Sequence, residues 1–566
     1  MNDQEYKCLL ISDFNINNFA GYLNNDNDFP KVNATVAPFG HVIPALVDKN
    51  LECWHTRYDF AVIWTQPESV IQSFNHIFHY RNIQINNILK EVDEYSSVVM
   101  NIQNRVDFAF LPTWVFPSYH RGFGMLDMKN GIGIANILMR MNLRLSENLD
   151  GASNIYLLNT QKWIEIAGKN AFNPKLWYMG KIAFGNEVFN EAARDIKSAL
   201  DGIRGNAKKL IIFDLDNTLW GGIVGDIGWE NLKLGGHDHI GEAYVDFQRA
   251  LKSLMNRGIL LGIVSKNEES MALDAINNHP EMVLRLEDFV GWKINWRDKA
   301  QNIVDLVSGL NLGLQSVVFI DDHPVERARV RETLPEVFVP EWPEDKMLYK
   351  SSLLNLRCFD TFSITKEDLE RTKMYVSERQ RHNLKKNVKS IDEWLNTLAI
   401  KVKIEELNEI NLQRVVQLLN KTNQMNLTTR RMTESELIDW TRKENHQLWT
   451  FRVSDKFGDS GLTGLISSEV KNKKGIIVDF VLSCRVMGRK IEETMLYIIM
   501  TYAQSIGLDE IQAKYIRTTK NKPCLEFFKS SGFLYNEENN CFTYKLKNEY
   551  NLPVCIQIER TTGEKL

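Results

Sequence analysis

The chain has little of what marks disordered, secreted or membrane proteins. Proline accounts for only 14 of the 566 residues and glycine for 32, far below the share found in low-complexity or collagen-like chains. No apolar run reaches the roughly 18 residues that a membrane-spanning helix needs, and the N-terminal MNDQEYKCLLIS carries acids where a secretory signal carries basic residues. The seven cysteines stand singly, without a CxxC pair, at positions 8, 53, 358, 484, 524, 541 and 555. This spacing indicates a reducing compartment, and we expect a soluble, cytoplasmic protein that has no membrane partner.

The chain also has no excess of basic over acidic residues. Lysine and arginine number 68 against 72 aspartates and glutamates, for a formal net charge of -4. The whole chain therefore lacks the positive field that draws a protein to nucleic acid or to an anionic membrane, and we expect no nucleic-acid partner. What is present is globular: 44% of the residues are hydrophobic, and at about 150 residues per domain the length suggests three or four domains.

Three segments with different patterns follow one another. In the first, short β-rich runs such as residues 8–11 and 58–64 alternate with helical periods, which indicates an α/β domain. In the second, apolar runs at 209–213, 259–264 and 316–320 are each followed by polar residues and a helix, which indicates a parallel sheet covered on both faces. The third has strands around 448–453 and 475–482 and is predicted to be α+β with antiparallel strands.

The predicted fold class is therefore a multidomain α/β protein with domains at 1–205, 206–370 and 371–550 and a tail at 551–566. A highly charged stretch, residues 366–389, lies between the second and third domains. We interpret it as a solvated connecting helix in preference to a helix that binds a partner.

The strongest chemical signal follows the first apolar run of the second segment. Asp214 and Asp216 stand two residues apart where a hydrophobic strand ends. Two such carboxylates would repel a phosphate unless a Mg²⁺ ion, which prefers oxygen ligands, lay between them. Asp214 could then attack phosphorus while Asp216 moves the proton of the leaving group. Taken alone, the DxDxT pattern is equally typical of a loop with an Asx turn.

Other strand ends supply the groups that this chemistry requires. Ser265 follows the second apolar run, Lys299 opens a helix, and Asp321 and Asp322 follow the third apolar run. A hydroxyl and a cation for the phosphoryl oxygens and a further acid for the metal therefore appear in order, at the edge of the sheet where open α/β proteins build their sites.

These segments resemble the haloacid dehalogenase (HAD) superfamily, and within it the FkbH-like group of subfamily IIIC. The resemblance rests on DLDNTLWGGIVGDIG (214–228), VSKNEE (264–269), NWRDK (295–299) and FIDDHPVER (319–327). It implies that Asp214 is the phosphoryl acceptor and a metal ligand, and that Asp216 is the acid/base and binds the metal through its backbone carbonyl. Residues that would hold the phosphoryl group or complete the magnesium site are Thr218, Ser265, Lys299, Asp321 and Asp322. The short interval between Asp214 and Ser265 leaves little room for a cap domain.

The segment from Cys484 to Lys490 follows a strand and precedes a helix. Backbone N–H groups and a helix N-terminus in such a place can hold a pyrophosphate. The same pattern is equally typical of a strand-to-helix turn that binds no ligand. The segment resembles the R/Q-x-x-G-x-G/A loop of GNAT acyltransferases, with Lys490 where that family has glycine or alanine. The resemblance implies that a pantetheine arm is bound by Arg485, Val486, Gly488, Arg489 and, from a later motif, Asn521.

Residues 421–430 and 457–462 extend the likeness to the FkbH-like group. That group implies loading of a glyceryl unit from a phosphorylated glycerate onto an acyl carrier protein, with loss of phosphate, in a secondary-metabolite or surface-polysaccharide pathway. The implied cofactors are Mg²⁺ and an acyl-CoA or phosphopantetheine arm, and the implied partners are the carrier protein and the phosphorylated small molecule. Cys484 is the candidate acyl-thioester residue, although an inert buried cysteine is the favoured interpretation. An acidic carrier would need a basic patch, for which the candidates are Arg430, Arg431, Arg485, Arg489 and Lys490.

The first domain is similar to SGNH hydrolases in its opening strand. Phe14 stands where that family has its nucleophilic serine, so we predict a non-catalytic domain. Two other functions stay open for the whole chain: a simple Mg²⁺-dependent phosphatase fused to an acyl-CoA-binding or N-acetyltransferase domain, and a non-enzymatic scaffold.

Overall fold

A computed structural model describes residues 5–25, 30–81, 84–236, 238–362, 364–377, 390–546 and 550–560. The chain divides into two compact units, Met1–Leu200 and Asp201–Leu566, so the second and third predicted domains lie within one unit. Of the predicted connecting helix, residues 366–369 and 371–377 are helical, and residues 378–389 lie outside the described part. No helix of the described ranges is long and apolar enough to cross a membrane.

The first unit is built on a five-stranded parallel sheet of order β2-β1-β3-β4-β5. Its strands are β1 (Tyr6–Ser12), β2 (Val32–Val36), β3 (Phe60–Trp64), β4 (Phe108–Pro112) and β5 (Ile155–Leu158). Helices lie between and after them: α1 (Asn17–Asn25), α2 (Val42–Val47), α3 (Pro67–Val70), α4 (Gln72–Phe78), α5 (Ile85–Val99), α6 (Ile134–Leu149), α7 (Thr160–Ala167), α8 (Pro174–Gly180) and α9 (Asn186–Ile203). Every residue of β3 is buried, as expected for a strand covered on both faces.

The second unit begins with a four-stranded parallel sheet of order β8-β7-β6-β9. The strands are β6 (Leu210–Phe213), β7 (Leu260–Ser265), β8 (Phe289–Ile294) and β9 (Val317–Ile320). The accompanying helices are α10 (Val224–Ile227), α11 (His239–Asn256), α12 (Glu269–Asn278), α13 (Lys299–Gly309), α14 (Pro324–Thr333), α15 (Tyr349–Leu354) and α16 (Lys366–Leu369). The residues of β6 point alternately into two separate apolar clusters, which explains why its sequence is apolar without interruption.

The rest of the second unit is a nine-stranded mixed sheet of order β16-β17-β15-β14-β13-β12-β10-β18, with β11 paired to β14. Its strands are β10 (Ile400–Glu406), β11 (Met425–Asn426), β12 (His446–Asp455), β13 (Gly458–Lys471), β14 (Lys474–Leu482), β15 (Glu510–Lys514), β16 (Leu534–Asn536), β17 (Cys541–Lys545) and β18 (Ile556–Arg560). The helices are α17 (Ile391–Leu398), α18 (Glu409–Lys421), α19 (Glu434–Thr441), α20 (Ile491–Ser505) and α21 (Lys522–Ser530).

Two features of this sheet differ from the sequence prediction. The β14–β15 and β10–β18 pairs are parallel, while the other pairs are antiparallel. The predicted tail is also not a tail, because it contains β18, which pairs with β10 in the register Ile400 with Ile556. Apolar Ile556 and Ile558 alternate with polar neighbours, which is a strand pattern too short to stand out in the sequence.

Candidate functional site

Strand β6 ends at Phe213, and the chain then turns through residues 214–220. The amide of Leu219 donates to the carbonyl of Leu215 at 2.7 Å, and Asn217 has a left-handed backbone, with φ 56°. Its side-chain oxygen accepts the Gly222 amide at 3.0 Å, a local bond that helps asparagine to tolerate this conformation. The loop is therefore fixed by its own hydrogen bonds just beyond the strand.

Three carboxylates meet at this edge of the sheet. Phe213 pairs with Ile320, so Asp214 and Asp321 come next at the same level of two adjacent strands. Together with Asp322, each offers an oxygen within 4.8 Å of the others. Asp214 and Asp321 are buried and Asp322 is half-buried. The structure thus brings together three of the four acids that the sequence proposes as metal ligands.

Lys299 is the cation within this group. It begins α13 after the N-cap Asp298, and its Nζ lies 3.1 Å from Asp214 Oδ2 and 2.7 Å from Asp321 Oδ2. Burial by itself would lower the pKa of Lys299, but the charges of Asp214 and Asp321 outweigh it and hold that pKa above its usual value. Burial, together with the charge of Asp214, raises the pKa of Asp321 to about 7, against the opposing effect of Lys299.

The donor set fits a divalent cation. Within the described residues, Asp214 Oδ1 is buried and has no hydrogen-bond partner, although a buried carboxylate oxygen normally has one. Among the described residues, two ammonium groups face the three carboxylates: Lys299 lies against Asp214 and Asp321, and Lys346 Nζ lies 3.7 Å from Asp322 Oδ2. Clustered carboxylate oxygens are ligands for Mg²⁺. An ion held by Asp214, Asp321 and Asp322 would satisfy the orphaned oxygen and reduce the repulsion between these acids.

The carboxylate of Asp216 is held apart from this cluster. Its Oδ1 accepts the indole N–H of Trp220 at 2.8 Å and the amide of Val224 at 3.1 Å. Its Oδ2 accepts the side-chain amide of Asn267 at 2.8 Å. Burial raises the pKa of Asp216 in spite of these hydrogen bonds. A carboxyl group with a raised pKa is suited to act as a general acid.

Thr218 and Ser265 occupy different places from one another. The hydroxyl of Thr218 accepts the Asp322 amide at 3.1 Å and donates to Asp322 Oδ1 at 3.2 Å, so it orients this acid. Ser265 ends β7 and is 1% exposed. Since Phe213 pairs with Ile263, Ser265 lies one residue further along its strand than Asp214 does along the neighbouring strand.

Two supporting residues were not predicted from the sequence. Arg327 donates to the backbone carbonyls of Asp321 and Asp322 at 2.7 and 2.8 Å, and it therefore fixes the backbone that carries both acids. Asn267 is buried and holds Asp216. Both residues lie inside segments that carry the family resemblance, but composition gives no sign of their roles, because arginine and asparagine are common surface residues.

In the loop predicted to bind pantetheine, a backbone amide is hydrogen-bonded to a side chain of the helix that follows the loop. Gly488 has φ 74°, and its amide donates to Glu492 Oε1 at 2.8 Å. Glu492 is 4% exposed and its Oε2 has no hydrogen-bond partner among the described residues. Burial raises the pKa of Glu492 to about 7. A carboxylate therefore takes the amide that was predicted to bind a diphosphate oxygen.

The other residues predicted for this loop are mostly internal. Arg489 is 2% exposed, lies 3.4 Å from Asp455 and donates to the carbonyl of Arg485 at 2.7 Å. Val486 and Asn521 are fully buried, and the Asn521 side chain donates to two backbone carbonyls. These three residues hold the fold around the loop, which explains their places in the sequence without a ligand.

The cations predicted to form a basic docking patch are also engaged. Arg430 forms an ion pair with Asp479, Lys490 lies 2.8 Å from Glu493, and Arg431 donates to backbone carbonyls. Pairing with an acid reduces the field that Arg430 and Lys490 could present to an acidic partner.

Cys484 is partly buried, and its Sγ lies 3.8 Å from the hydroxyl of Tyr375. Within the first unit, Phe14 is 1% exposed and packs edge-on against Trp64 and Phe184. The aromatic ring thus belongs to the core of the first unit.

No protein-family model and no curated protein matches the chain. Among solved structures, the N-terminal part of the protein BF1531 from Bacteroides fragilis, described as containing a phosphatase domain complexed with Mg, is 27% identical with a TM-score of 0.58. The match covers 64% of this chain and 95% of that one. An acetyltransferase of the GNAT family from Staphylococcus aureus Mu50 is 14% identical with a TM-score of 0.22, and the match covers 26% of this chain and 99% of that one. The chain is accordingly a multidomain α/β protein with parallel sheets, and about two thirds of it share a fold with the Bacteroides structure.

Proposed function

We propose that the protein is a Mg²⁺-dependent phosphatase whose nucleophile is Asp214. The observation that carries this proposal is the buried, unpartnered Oδ1 of Asp214 beside Asp321, Asp322 and Lys299. The 27% identity to a structure with a phosphatase domain and Mg supports it. Asp214, Asp321 and Asp322 would hold the ion, which would supply positive charge for the phosphoryl oxygens.

The chain's own residues then divide the reaction. A carboxylate oxygen of Asp214 forms a bond to phosphorus as the bond to the leaving oxygen breaks, and Asp216 gives that oxygen its proton. Asp216 next takes a proton from the water that hydrolyses the aspartyl phosphate, which restores both acids. Lys299 and Ser265 stabilise the transferring group, and Asn267 and Trp220 keep Asp216 in place.

We propose further that the substrate is a phosphorylated glycerate whose carboxyl group is activated as an acyl phosphate. The thiol of an acyl carrier protein attacks the carbonyl carbon, and the C–S bond of the thioester forms as the C–O bond to phosphate breaks and phosphate leaves. The supporting evidence is the likeness of residues 214–228, 319–327 and 421–430 to the FkbH-like group. A second function, phosphate release to water alone, is favoured by one contact: Glu492 occupies the Gly488 amide, so this loop does not offer that amide to a pantetheine diphosphate.

Phosphate release from small phosphate esters tests the first proposal. Asp214→Asn removes the nucleophile while keeping the shape of the side chain, and we expect it to lower kcat by about a thousandfold or more. Chelation of Mg²⁺ should abolish activity in the wild type. Asp226→Asn, an exposed acid in the same region, is the matched control and should be unaffected. Normal turnover by Asp214→Asn would refute the proposal.

Intact-mass measurement tests the acceptor. The enzyme is incubated with candidate carrier proteins and a phosphoglycerate whose carboxyl group is activated as an acyl phosphate, and phosphate is measured in parallel. A glyceryl adduct on the carrier together with released phosphate supports glyceryl transfer. Phosphate release without an adduct supports the alternative function, a simple phosphatase.

A further inference from the structure

A small cavity lies at the other end of the central sheet from the acidic cluster. Lys209 precedes β6 and lines the cavity, whereas Asp214 follows β6. Five residues of extended chain span about 16 Å, so the cavity is separate from the site described above. The opposite wall comes from the end of α18, at Lys421, and from the chain around Asp368.

The charges around this cavity do not balance. Its lining contains one acid, Asp368, and five cationic residues, which are Lys208, Lys209, Arg257, Arg371 and Lys421. Asp368 already has partners, since it forms an ion pair with Arg371 and accepts hydrogen bonds from Thr365 and Gln417. In the part of the chain that the structure describes, the three lysines form no ion pair within 4 Å.

Each of these lysines is held in place by a single uncharged acceptor. Lys208 Nζ donates to the carbonyl of Gln315 at 2.6 Å and Lys421 Nζ donates to the Thr361 hydroxyl at 3.2 Å. Lys209 Nζ lies 3.5 Å from the carbonyl of Lys421. An ammonium group has three N–H donors, so Lys208 and Lys209 each keep two that can point to a ligand. Lys421, whose Nζ also lies 5.6 Å from the centre of the Phe362 ring, keeps at least one.

Burial disfavours the charged form of these lysines. It lowers the pKa of Lys209 to about 8 and that of Lys421 to about 7; the charge of Asp368 opposes this effect at both, and the charge of Arg371 adds to it at both. A bound anion would offset this unfavourable concentration of positive charge.

The backbone of the wall is closely packed. A Cβ on Gly205, whose φ is +74°, would lie 2.6 Å from the carbonyl oxygen of Asn420 and 2.7 Å from the Lys421 Cα. Glycine therefore lets two backbone segments touch here, and Lys421 is presented from a rigid support. A charge cluster that is fixed in advance binds an anion at a lower entropic cost.

We propose that this cavity binds one oxyanion group of the phosphate class. Its volume is about 30 Å³, which at about 10 to 15 Å³ for one water gives room for two or three water-sized groups. A single phosphate group fits that space, and the remainder of a larger ligand stays outside. The phosphate can be free inorganic phosphate or the terminal phosphate of a molecule such as coenzyme A.

Titration calorimetry of the full chain with inorganic phosphate in EDTA tests the proposal. Without a cation, the three carboxylates around Asp214 repel phosphate, so the heat reports the cavity. We expect Lys209→Met and Lys421→Met each to weaken binding about tenfold or more, since each removes a charged hydrogen-bond donor to the anion. Lys90→Met removes the same charge from an exposed helix position and should leave binding unchanged.

Arg257→Ala keeps the test valid if the buried variants fail to fold, because Arg257 is exposed and its loss should still weaken binding several-fold. Because the phosphatase would have no Mg²⁺ in EDTA, binding under these conditions separates this proposal from the phosphatase. No binding at millimolar phosphate, or equal loss in Lys90→Met, would overturn it.

Coenzyme A then identifies the source of the phosphate. Tighter binding of coenzyme A than of inorganic phosphate, with the same loss in Lys421→Met, points to a terminal phosphate of a larger ligand. Binding that is no tighter than that of phosphate points to the free ion.

Discussion

At the scale of single residues, the acidic site depends on side chains that touch the reacting groups and on others that hold them. The positions of Asp214, Asp321 and Asp322 could be predicted because carboxylates at the ends of neighbouring parallel strands must meet at one edge. The contacts of Asn267 and Arg327 could not, because they depend on how loops from different strands fold over that edge.

Asn267 gives the first residue-scale prediction. Asn267→Ala removes the hydrogen bond to Asp216 Oδ2, so the acid loses one of its three restraints. We expect kcat for phosphate release to fall about tenfold, the equivalent of about 1.4 kcal/mol, with little change in KM. Steady-state kinetics measure this, with the exposed Asn278→Ala as the control. An unchanged kcat would show that Trp220 and Val224 suffice to position Asp216.

Lys299 gives the second residue-scale prediction. Lys299→Met leaves Asp214 and Asp321 buried without their cation, and breaking a buried ion pair costs about 3–5 kcal/mol. Urea denaturation in EDTA should show a loss of that order in the free energy of unfolding. Added Mg²⁺ should recover part of it, because an ion bound by the native state stabilises that state. Equal stability with and without Mg²⁺ would contradict the metal site.

At the scale of elements, the strands of the central sheet were predictable where they are continuous apolar runs, as in β6 and β9. Strand β8 was missed because Phe289–Ile294 contains a glycine, a tryptophan and a lysine, which breaks the pattern. It lies at the edge of the sheet, where one side of a strand needs no partner and polar residues are tolerated.

The loop before α20 gives a prediction for pH. Burial raises the pKa of Glu492 from 4.5 to about 7, so between these values the folded protein binds a proton that the unfolded chain has lost. The free energy of unfolding therefore falls as pH rises from about 4.5 to 7, by about 3 kcal/mol from this group. Glu492→Gln cannot lose a proton and should lack this fall.

Urea denaturation of both proteins from pH 5 to pH 7.5 measures the effect as a difference, in which the other acids with raised pKa values cancel. A constant difference in unfolding free energy across that range would contradict the raised pKa. The exposed Glu526→Gln, which pairs with Lys522 on the surface, serves as the control and should follow the wild type.

At the scale of the whole molecule, the second unit combines two sheets that the sequence divides into two domains. Composition and motifs predict a boundary between them at residue 370, but they do not predict the contacts that join them. Those contacts join polar side chains over long sequence separations: Arg371 donates to the Gly258 carbonyl at 2.8 Å, and Gln417 of α18 donates to Asp368. No periodicity in the sequence reports such pairs.

This network predicts how the second unit unfolds. Gln417 is fully buried, and Gln417→Ala leaves Asp368 and Arg414 each without one partner. We expect this variant to lose about 2–3 kcal/mol of unfolding free energy. The two sheets of residues 201–566 should then unfold separately, so that the unfolding transition followed by tryptophan fluorescence no longer coincides with the one followed by circular dichroism. The exposed Gln557→Ala should keep the two transitions together. Coincident transitions in Gln417→Ala would show that other contacts hold the two sheets together.

The pairing of β10 with β18 has a consequence for the newly made protein. One edge of β10 stays open until about 150 more residues have been synthesised, since its parallel neighbour begins only at Ile556. An unpaired strand edge is a template for pairing with other chains, and nascent multidomain proteins are vulnerable while such edges are exposed. Ribosome-bound chains that end before residue 556 should therefore be the species that chaperones capture.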